Sequence, residues 1–442
     1  MVIGAQFGDE AKGKITDYLS ADARYVVRTG GGPNAGHSIH LPEASLVLHQ
    51  LSVGVLRKGV VGISGPGMVI DPTAFEHELE DLSARHLLKG EPIISERAHV
   101  ILPVHQIEDA WEEEVRAAHA RGTTVGTTLR GIGPAYSDRY GRWGIRFADL
   151  TRPAWLKERV DLLYATKAHL TNAAPKEELT ERLIEIGGRL APYIQATEPI
   201  LWDAIERGDN ILLEGAQSAL LDVDFGTYPY VTSSHPTSAG ALIGSGIPPQ
   251  ELDSVIGISK AYATRVGTGP FPTEEKGEMG EYLQRQGGER GATTGRTRRT
   301  GWLDLVLLRY VARLNGFSSW AVTKVDVLGG LEEVPICTQY VGPDRTTFRD
   351  YPPVLAEDFD RVQPVYEKLP GWPEFTSRLK ERIRREGVAA LPSTLRRFLD
   401  FLTAETRVPV ELVSYGPQRE ETVRLPITGP VGSRRGPRPW SS

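Results

Sequence analysis

Cysteine is nearly absent: Cys337 is the single one in 442 residues. One thiol excludes an internal disulfide framework and any cysteine-rich zinc site. It suits a reducing compartment, so a cytoplasmic location is expected. A basic excess is missing as well. The formal net charge is -6, which lends nothing to a nucleic-acid or membrane-surface role, since both call for surplus Lys and Arg. No apolar run approaches the roughly 20 residues of a membrane span, and the N-terminus enters a core-strand pattern rather than a basic-then-apolar leader. With 40% hydrophobic and 24% charged residues, the expectation is a soluble, enzyme-sized chain too long for one small core.

A smaller absence is more informative. The stretch VIGAQFGDEAKGKITDYL, which begins at Val2, reads as a strand, a glycine-flanked loop and a helix. Gly8, Gly13 and Lys14 have the spacing of a phosphate-binding loop. Such loops carry Ser or Thr after the lysine to hold magnesium, and here that position is Ile15. The chain keeps the phosphate cradle without the hydroxyl.

Short β-branched runs alternate with helical patterns along the chain. This is the sign of an α/β fold with a large, mainly parallel central sheet flanked by helices, plus helical and loop insertions. Strands are expected over 2–5, 25–28, 60–64, 98–102, 210–214, 254–258, 319–323 and 410–414, and helices over 72–88, 104–121, 175–190, 303–315, 372–386 and 392–405. A single domain over 1–428 is expected, with a helical excursion at about 151–205 and a disordered tail at 429–442.

The polar, glycine-rich loops are where chemistry is expected. In GDEAKGK, backbone N–H groups gather at a helix N-terminus, where the macrodipole favours phosphate, and Lys12 and Lys14 add point charges. Asp9 is the nearest carboxylate for magnesium, and an N-cap is its simpler reading. RTGGGPNAGHSIH offers His37 as a proton donor or acceptor near neutral pH. AVTKVDVL ends a strand in Lys324 and Asp326 and resembles the base-reading element of GTP-binding proteins. A carboxylate there can accept from both the ring N–H and the 2-amino group of guanine, while a lysine stem packs along the base. RGATTGRTRRTGW puts Arg296, Arg298 and Arg299 beside Thr293 and Thr294, a patch suited to a small anion. Thr128, Gln217 and Thr232, on two further turn-rich loops, suit a sugar phosphate and base.

GDEAKGKITDYL, NAGHS, GTTLRGIGPAY, EGAQ, GTYPYVTSS, TRVGTGPFPTE, GATTGRTRRTGWLD, TKVDVL and LPGW follow one another in this order. Together they resemble the adenylosuccinate synthetase family, over roughly residues 1 to 428. The resemblance implies a GTP-dependent ligase of purine nucleotide biosynthesis. GTP phosphorylates the 6-oxygen of IMP, and the amine of L-aspartate then displaces that phosphate to give adenylosuccinate, GDP and phosphate. It implies Asp9 as general base and magnesium ligand, His37 as general acid, the Gly36 carbonyl as a second metal ligand, and Lys12 and Gln217 in the catalytic set. Asp9 thereby takes the metal's side of the loop, which accounts for the missing hydroxyl.

For GTP the resemblance implies Gly8, Glu10, Ala11, Gly13 and Lys14, with Gly36, Ser38 and Arg298, and around the base Lys324, Val325, Asp326, Ser414, Tyr415 and Gly416. For IMP it implies Asn34, Ala35, Thr128, Thr232 and Arg296, with Arg142 reaching the other subunit's site in a homodimer. For aspartate it implies the loop of Ala292, Thr293, Thr294 and Gly295 up to Arg298. The family usually has Gly where this chain has Ala11 and Leu129, Gln at Gly30, Trp at Phe7, and often Arg at Thr297. Ala11 costs little if its φ is negative and more if it is positive, and Leu129 is expected beside the phosphate pocket. IMP is the expected purine. The alternatives are dGMP or another 6-oxopurine nucleotide, as in a viral branch making a 2-aminoadenine precursor, or a non-catalytic nucleotide-binding paralogue. A plain GTPase switch is disfavoured by Ile15 and the arginine loop.

Overall fold

The computed structural model describes residues 1–41, 44–119, 124–167, 170, 175–291 and 295–427. Its centre is a ten-stranded sheet. In chain order the strands are β1 (Val2–Gly4), β2 (Tyr25–Arg28), β3 (Val61–Ser64), β4 (Glu91–Ser95), β5 (Ile194–Gln195), β6 (Ile211–Glu214), β7 (Ile256–Lys260), β8 (Ser319–Thr323), β9 (Val410–Ser414) and β10 (Thr422–Arg424). Across the sheet they run β10-β9-β8-β7-β1-β6-β2-β3-β4-β5. All neighbours are parallel except β9 and β10. The α/β expectation is met, with a near-continuous apolar reading in the central strands because both faces are covered.

The first strand sits between β6 and β7, with Val2 opposite both Glu214 and Ile256. This arrangement positions the site. Parallel strands all point their carboxyl ends the same way, and the crevice outside those ends is where open α/β sheets bind ligands. The loops after β1, β2, β6, β7, β8 and β9 therefore meet at one edge.

One strand and one helix expectation need correction. The strand expected at 98–102 is a two-residue pairing of His99–Val100 with Val69–Ile70, outside the main sheet. The sheet instead takes Glu91–Ser95, which contains Pro92, a residue that disfavours central strands. Proline is tolerated there because the outer neighbour β5 pairs only with Ile94 and Ser95. The helix expected from 372 begins at Ser377, capped by the Thr376 hydroxyl. An antiparallel side sheet of Glu333–Val341 and Gln363–Pro370 was not expected. Residues 151–205 carry helices Pro153–Thr166 and Lys176–Leu190 and most of Thr197–Arg207, but also β5 of the main sheet. The tail at 429–442 lies outside the described residues.

Candidate active site

The loop after β1 is built from inside. The buried Glu10 carboxylate accepts the N–H groups of Gln6 (3.0 Å) and Gly8 (2.9 Å), the Ser218 hydroxyl (2.6 Å) and the Lys12 ammonium (2.6 Å). Gly8, Asp9 and Ala11 have φ of 99°, 61° and 66°. Left-handed residues on either side of Glu10 curl the backbone into a concavity of the kind that suits an anion. α1 (Lys12–Leu19) follows, with Ala11 at its N-cap position, so the N-cap reading of Asp9 fails. The Ile15 side chain is fully buried with Val2, Val26, Leu212 and Ile258. A residue after Lys14 faces the core here and has no view of a phosphate.

The Gly13 position is set by packing. A Cβ there would stand 2.8 Å from the His37 Cβ, because the hairpin of His37–His40 and Ser45–Leu48 lies against α1. His37 Nδ1 is 2.6 Å from Glu214 Oε1, and both side chains are buried. The other Glu214 oxygen accepts from Ser52 (3.1 Å) and the Val53 N–H (3.0 Å). Burial works to raise the Glu214 carboxyl, but its hydrogen bond with His37, the nearby Arg28 and the Val53 N–H outweigh this and hold it low. Burial, with Arg28 and Lys12, pushes the imidazole below its usual value despite Glu214. The neutral ring donates through Nδ1, leaving Nε2 buried and without a protein partner. An arriving phosphoryl or oxyanion would reverse the charge balance and draw a proton onto Nε2.

At the far side, Thr323 ends β8 and Lys324 turns at φ 56°. The Trp372 Nε1–H donates to the Val325 carbonyl (2.8 Å) and pins this turn. Asp326 Oδ1 is buried without a hydrogen-bond partner, and burial raises its carboxyl. Lys14 reaches across to the Ser414 hydroxyl (2.6 Å) and the carbonyls of Gly416 (2.6 Å) and Glu421 (3.0 Å). Burial lowers its ammonium to about 7. Arg298 stands between two carboxylates, Asp9 (2.7 Å) and Glu289 (2.6 Å).

These groups face one cavity of about 950 Å³, at the upper end of small-molecule pockets. Of the expected residues, Gly8, Asp9, Ala11, Lys12, Gly13, Lys14, Asn34, Ala35, Gly36, His37, Ser38, Thr128, Gln217, Thr232, Arg298, Lys324, Asp326, Ser414 and Gly416 line it. Gln217 donates to Asn34 Oδ1 (3.0 Å) and keeps Oε1 buried and unmatched. The side chains of Glu10, Val325 and Tyr415 are sealed from the cavity, consumed by the loop, the core and the Phe375 stack. Arg142, exposed at the end of the helix Ile132–Gly141, Gly295 and Arg296, which donates to the Gly126 carbonyl, do not line it. Ala292, Thr293 and Thr294 lie outside the described residues. Leu129 is half exposed at φ 55° and also stands off the cavity wall.

A model of the family described as adenylosuccinate synthetase matches residues 1–423. The chain belongs to that family. It is 44% identical over 431 residues to the adenylosuccinate synthetase of Desulforudis audaxviator, covering 96% of this chain and 97% of the other. The enzyme of Salinibacter ruber is 43% identical over 434 residues, with the same two coverages. Among solved structures, the fully ligated adenylosuccinate synthetase from Plasmodium falciparum superposes with a TM-score of 0.88 at 35% identity, over 96% of this chain and 99% of that one. A cyanophage S-2L succinoaminodeoxyadenylate synthetase bound to dGMP and dATP gives 0.60 at 19% identity, over 96% and 95%, which is a likeness of fold alone.

Residue reading in this synthetase-family chain missed the partners rather than the principals. Glu214, which orients His37, stood at the head of EGAQ, but nothing in one strand-ending glutamate says which histidine it meets. Glu289 gave no signal, since its partners arrive from three other segments. Arg265 is buried 4.4 Å from the Phe7 ring and donates to Thr227 (2.8 Å) and the Pro270 carbonyl (2.8 Å). Burial and Arg299 bring it down to about 9. Among the described residues, the cluster with metal-ligand spacing is Asp222, Asp224 and His235. Its central Asp222 is already occupied by the N–H groups of Asp224 and Phe225 and the Thr237 hydroxyl, as in a structural turn.

Proposed function

We propose that this cavity is where the chain, a GTP-dependent ligase of the adenylosuccinate synthetase family, joins L-aspartate to IMP through the residues that face it. The observation that carries the reading is the buried, unmatched Asp326 oxygen at one end of a cavity whose other wall holds Asp9 and the His37 Nε2. A buried acceptor without a donor is costly unless a ligand supplies one, and guanine supplies two on that edge. The phosphates would then lie along the concavity at the head of α1, with Lys12 and Lys14 beside them.

In the first step Asp9 accepts the N1 proton of IMP as the 6-oxygen attacks the γ-phosphorus and the bond to GDP breaks. His37, held by Glu214, places Nε2 against the moving phosphoryl group and neutralises charge there. In the second step the aspartate amine forms the bond to C6 and gives up a proton to water, and the C6–O bond breaks as inorganic phosphate leaves. The Asp9 carboxylate and the Gly36 carbonyl, both on the cavity wall, fit a hard cation that takes oxygen ligands. Mg²⁺ bound there would supply Lewis-acid neutralisation of the phosphates. Asn34 and Gln217 support the purine nucleotide, Thr128 and Thr232 its phosphate and sugar, and the 292–298 loop the aspartate carboxylates. A homodimer in which Arg142 completes the neighbouring subunit's site accounts for an exposed arginine outside its own cavity. Among the described residues no helix is long and apolar enough to cross a membrane, and a cytoplasmic location remains the reading.

The test is direct. Purified chain with IMP, GTP, L-aspartate and Mg²⁺ should yield a succinylated purine by absorbance, with GDP and phosphate in equal amounts. Turnover with dGMP and none with IMP would overturn the choice of purine. No turnover with either would leave a nucleotide-binding paralogue.

A further inference from the structure

Lys324, Glu289, Arg298 and Asp9 form a continuous chain of charges through the wall of the cavity. Lys324 Nζ lies 3.2 Å from Glu289 Oε1, Arg298 Nη1 lies 2.6 Å from Glu289 Oε2, and Arg298 Nε lies 2.7 Å from Asp9 Oδ2. The first member belongs to the base-reading turn and the last is the proposed proton acceptor. Glu289 is fully enclosed, and its Oε1 also meets Lys260 Nζ (3.1 Å) and the Tyr262 hydroxyl. One carboxylate thus faces three cations. Asp9 is 29% exposed, so water weakens its hold on Arg298 relative to that of the enclosed Glu289.

We propose that Glu289 is a positioning residue that couples the guanine site to the catalytic base. The inference rests on the nucleotide assignment above. With the base site open, Lys324 and Lys260 share Glu289 with Arg298, and Arg298 leans on Asp9 and occupies one of its oxygens. When guanine arrives, Lys324 leaves Glu289 to lie along the base. Glu289 then draws Arg298 more strongly, and the Asp9 oxygen becomes open to the purine N1–H. No covalent step is involved; one ion pair is exchanged for another inside a packed wall. The cation that holds Asp9 idle is drawn off by the co-substrate whose phosphate Asp9 helps to transfer.

The consequence is a coupling factor between two ligands that meet the two ends of this ion-pair chain, equal in both directions. IMP affinity is measured by calorimetry with and without saturating GDP, with Mg²⁺ throughout, in the full-length chain and two variants. The unaltered chain should bind IMP at least about fivefold more tightly with GDP present. Glu289→Gln keeps the shape and removes the charge, so IMP should bind at its weaker, GDP-free level in both conditions and the coupling factor should fall to about one. Lys260→Met removes a competing cation, so it should tighten IMP in the absence of GDP toward the GDP-saturated value. A merely structural role would move both variants the same way. Coupling retained in Glu289→Gln, no tightening in Lys260→Met, or no coupling in the unaltered chain would each overturn the relay. If the unaltered chain binds neither IMP nor GDP, the nucleotide assignment itself fails.

Discussion

At the residue scale, orphaned buried atoms are the most telling feature. His37 Nε2, Gln217 Oε1 and Asp326 Oδ1 are each buried without a hydrogen-bond partner, and all three side chains line one cavity. Buried polar groups are nearly always satisfied, so their convergence marks where a ligand completes the structure. Asp326→Asn tests this. The amide offers one acceptor and one donor, so one guanine N–H loses its charged partner and another donor is opposed. A charged hydrogen bond is worth about 1.5–3 kcal/mol, so GTP affinity should fall roughly tenfold to a hundredfold, while IMP affinity stays unchanged. Titration calorimetry of each nucleotide separates the two outcomes, and equal GTP binding in the variant would remove the base-reading role.

At the scale of elements, the strand–loop–helix unit at the N-terminus combines strain and packing. Ala11 at φ 66° answers the question its sequence position raised: the backbone there is left-handed, and a Cβ is tolerated rather than preferred. The left-handed cost of about 1–2 kcal/mol, less about 0.4–1 kcal/mol for the looser unfolded chain of a glycine, leaves Ala11→Gly stabilising by roughly 0.5–1 kcal/mol, seen as a higher urea midpoint with unchanged slope. An unchanged or lower midpoint would show that the loop relaxes elsewhere. This unit was legible in the sequence because its signals are local: a β-branched run, glycines at fixed offsets, then helix formers. Seven of the eight expected strands are strands of the main sheet for the same reason. The side sheet and β4 were not legible, because Pro92, Pro335 and Pro364 within their strands oppose a strand locally and only tertiary pairing overrides that. Glu289 was illegible for a related reason. Its meaning depends on Lys260, Tyr262, Arg298 and Lys324, which only the folded sheet brings together.

At the scale of the molecule, the site is assembled from the carboxyl ends of strands drawn from the whole chain, and it faces the question of a second copy. Arg142 is exposed on the helix Ile132–Gly141 and its own cavity does not use it. If the partner subunit's site does, two inactive variants should repair each other. Arg142→Ala chains mixed with Asp9→Ala chains would form hybrids in which one site has both groups. Random exchange would restore about a quarter of the wild-type turnover, and no recovery in a mixture shown by light scattering to exchange subunits would refute the shared site.

The three bonds of Lys14 have a further consequence. Its acceptors on Ser414 and Gly416 come 400 or more positions later in the chain. A ribosome-bound nascent polypeptide displays its phosphate loop within moments of starting, yet the clasp that immobilises that lysine is made almost last. A truncation before Ser414 would remove all three acceptors of that ammonium and leave it loose in the loop.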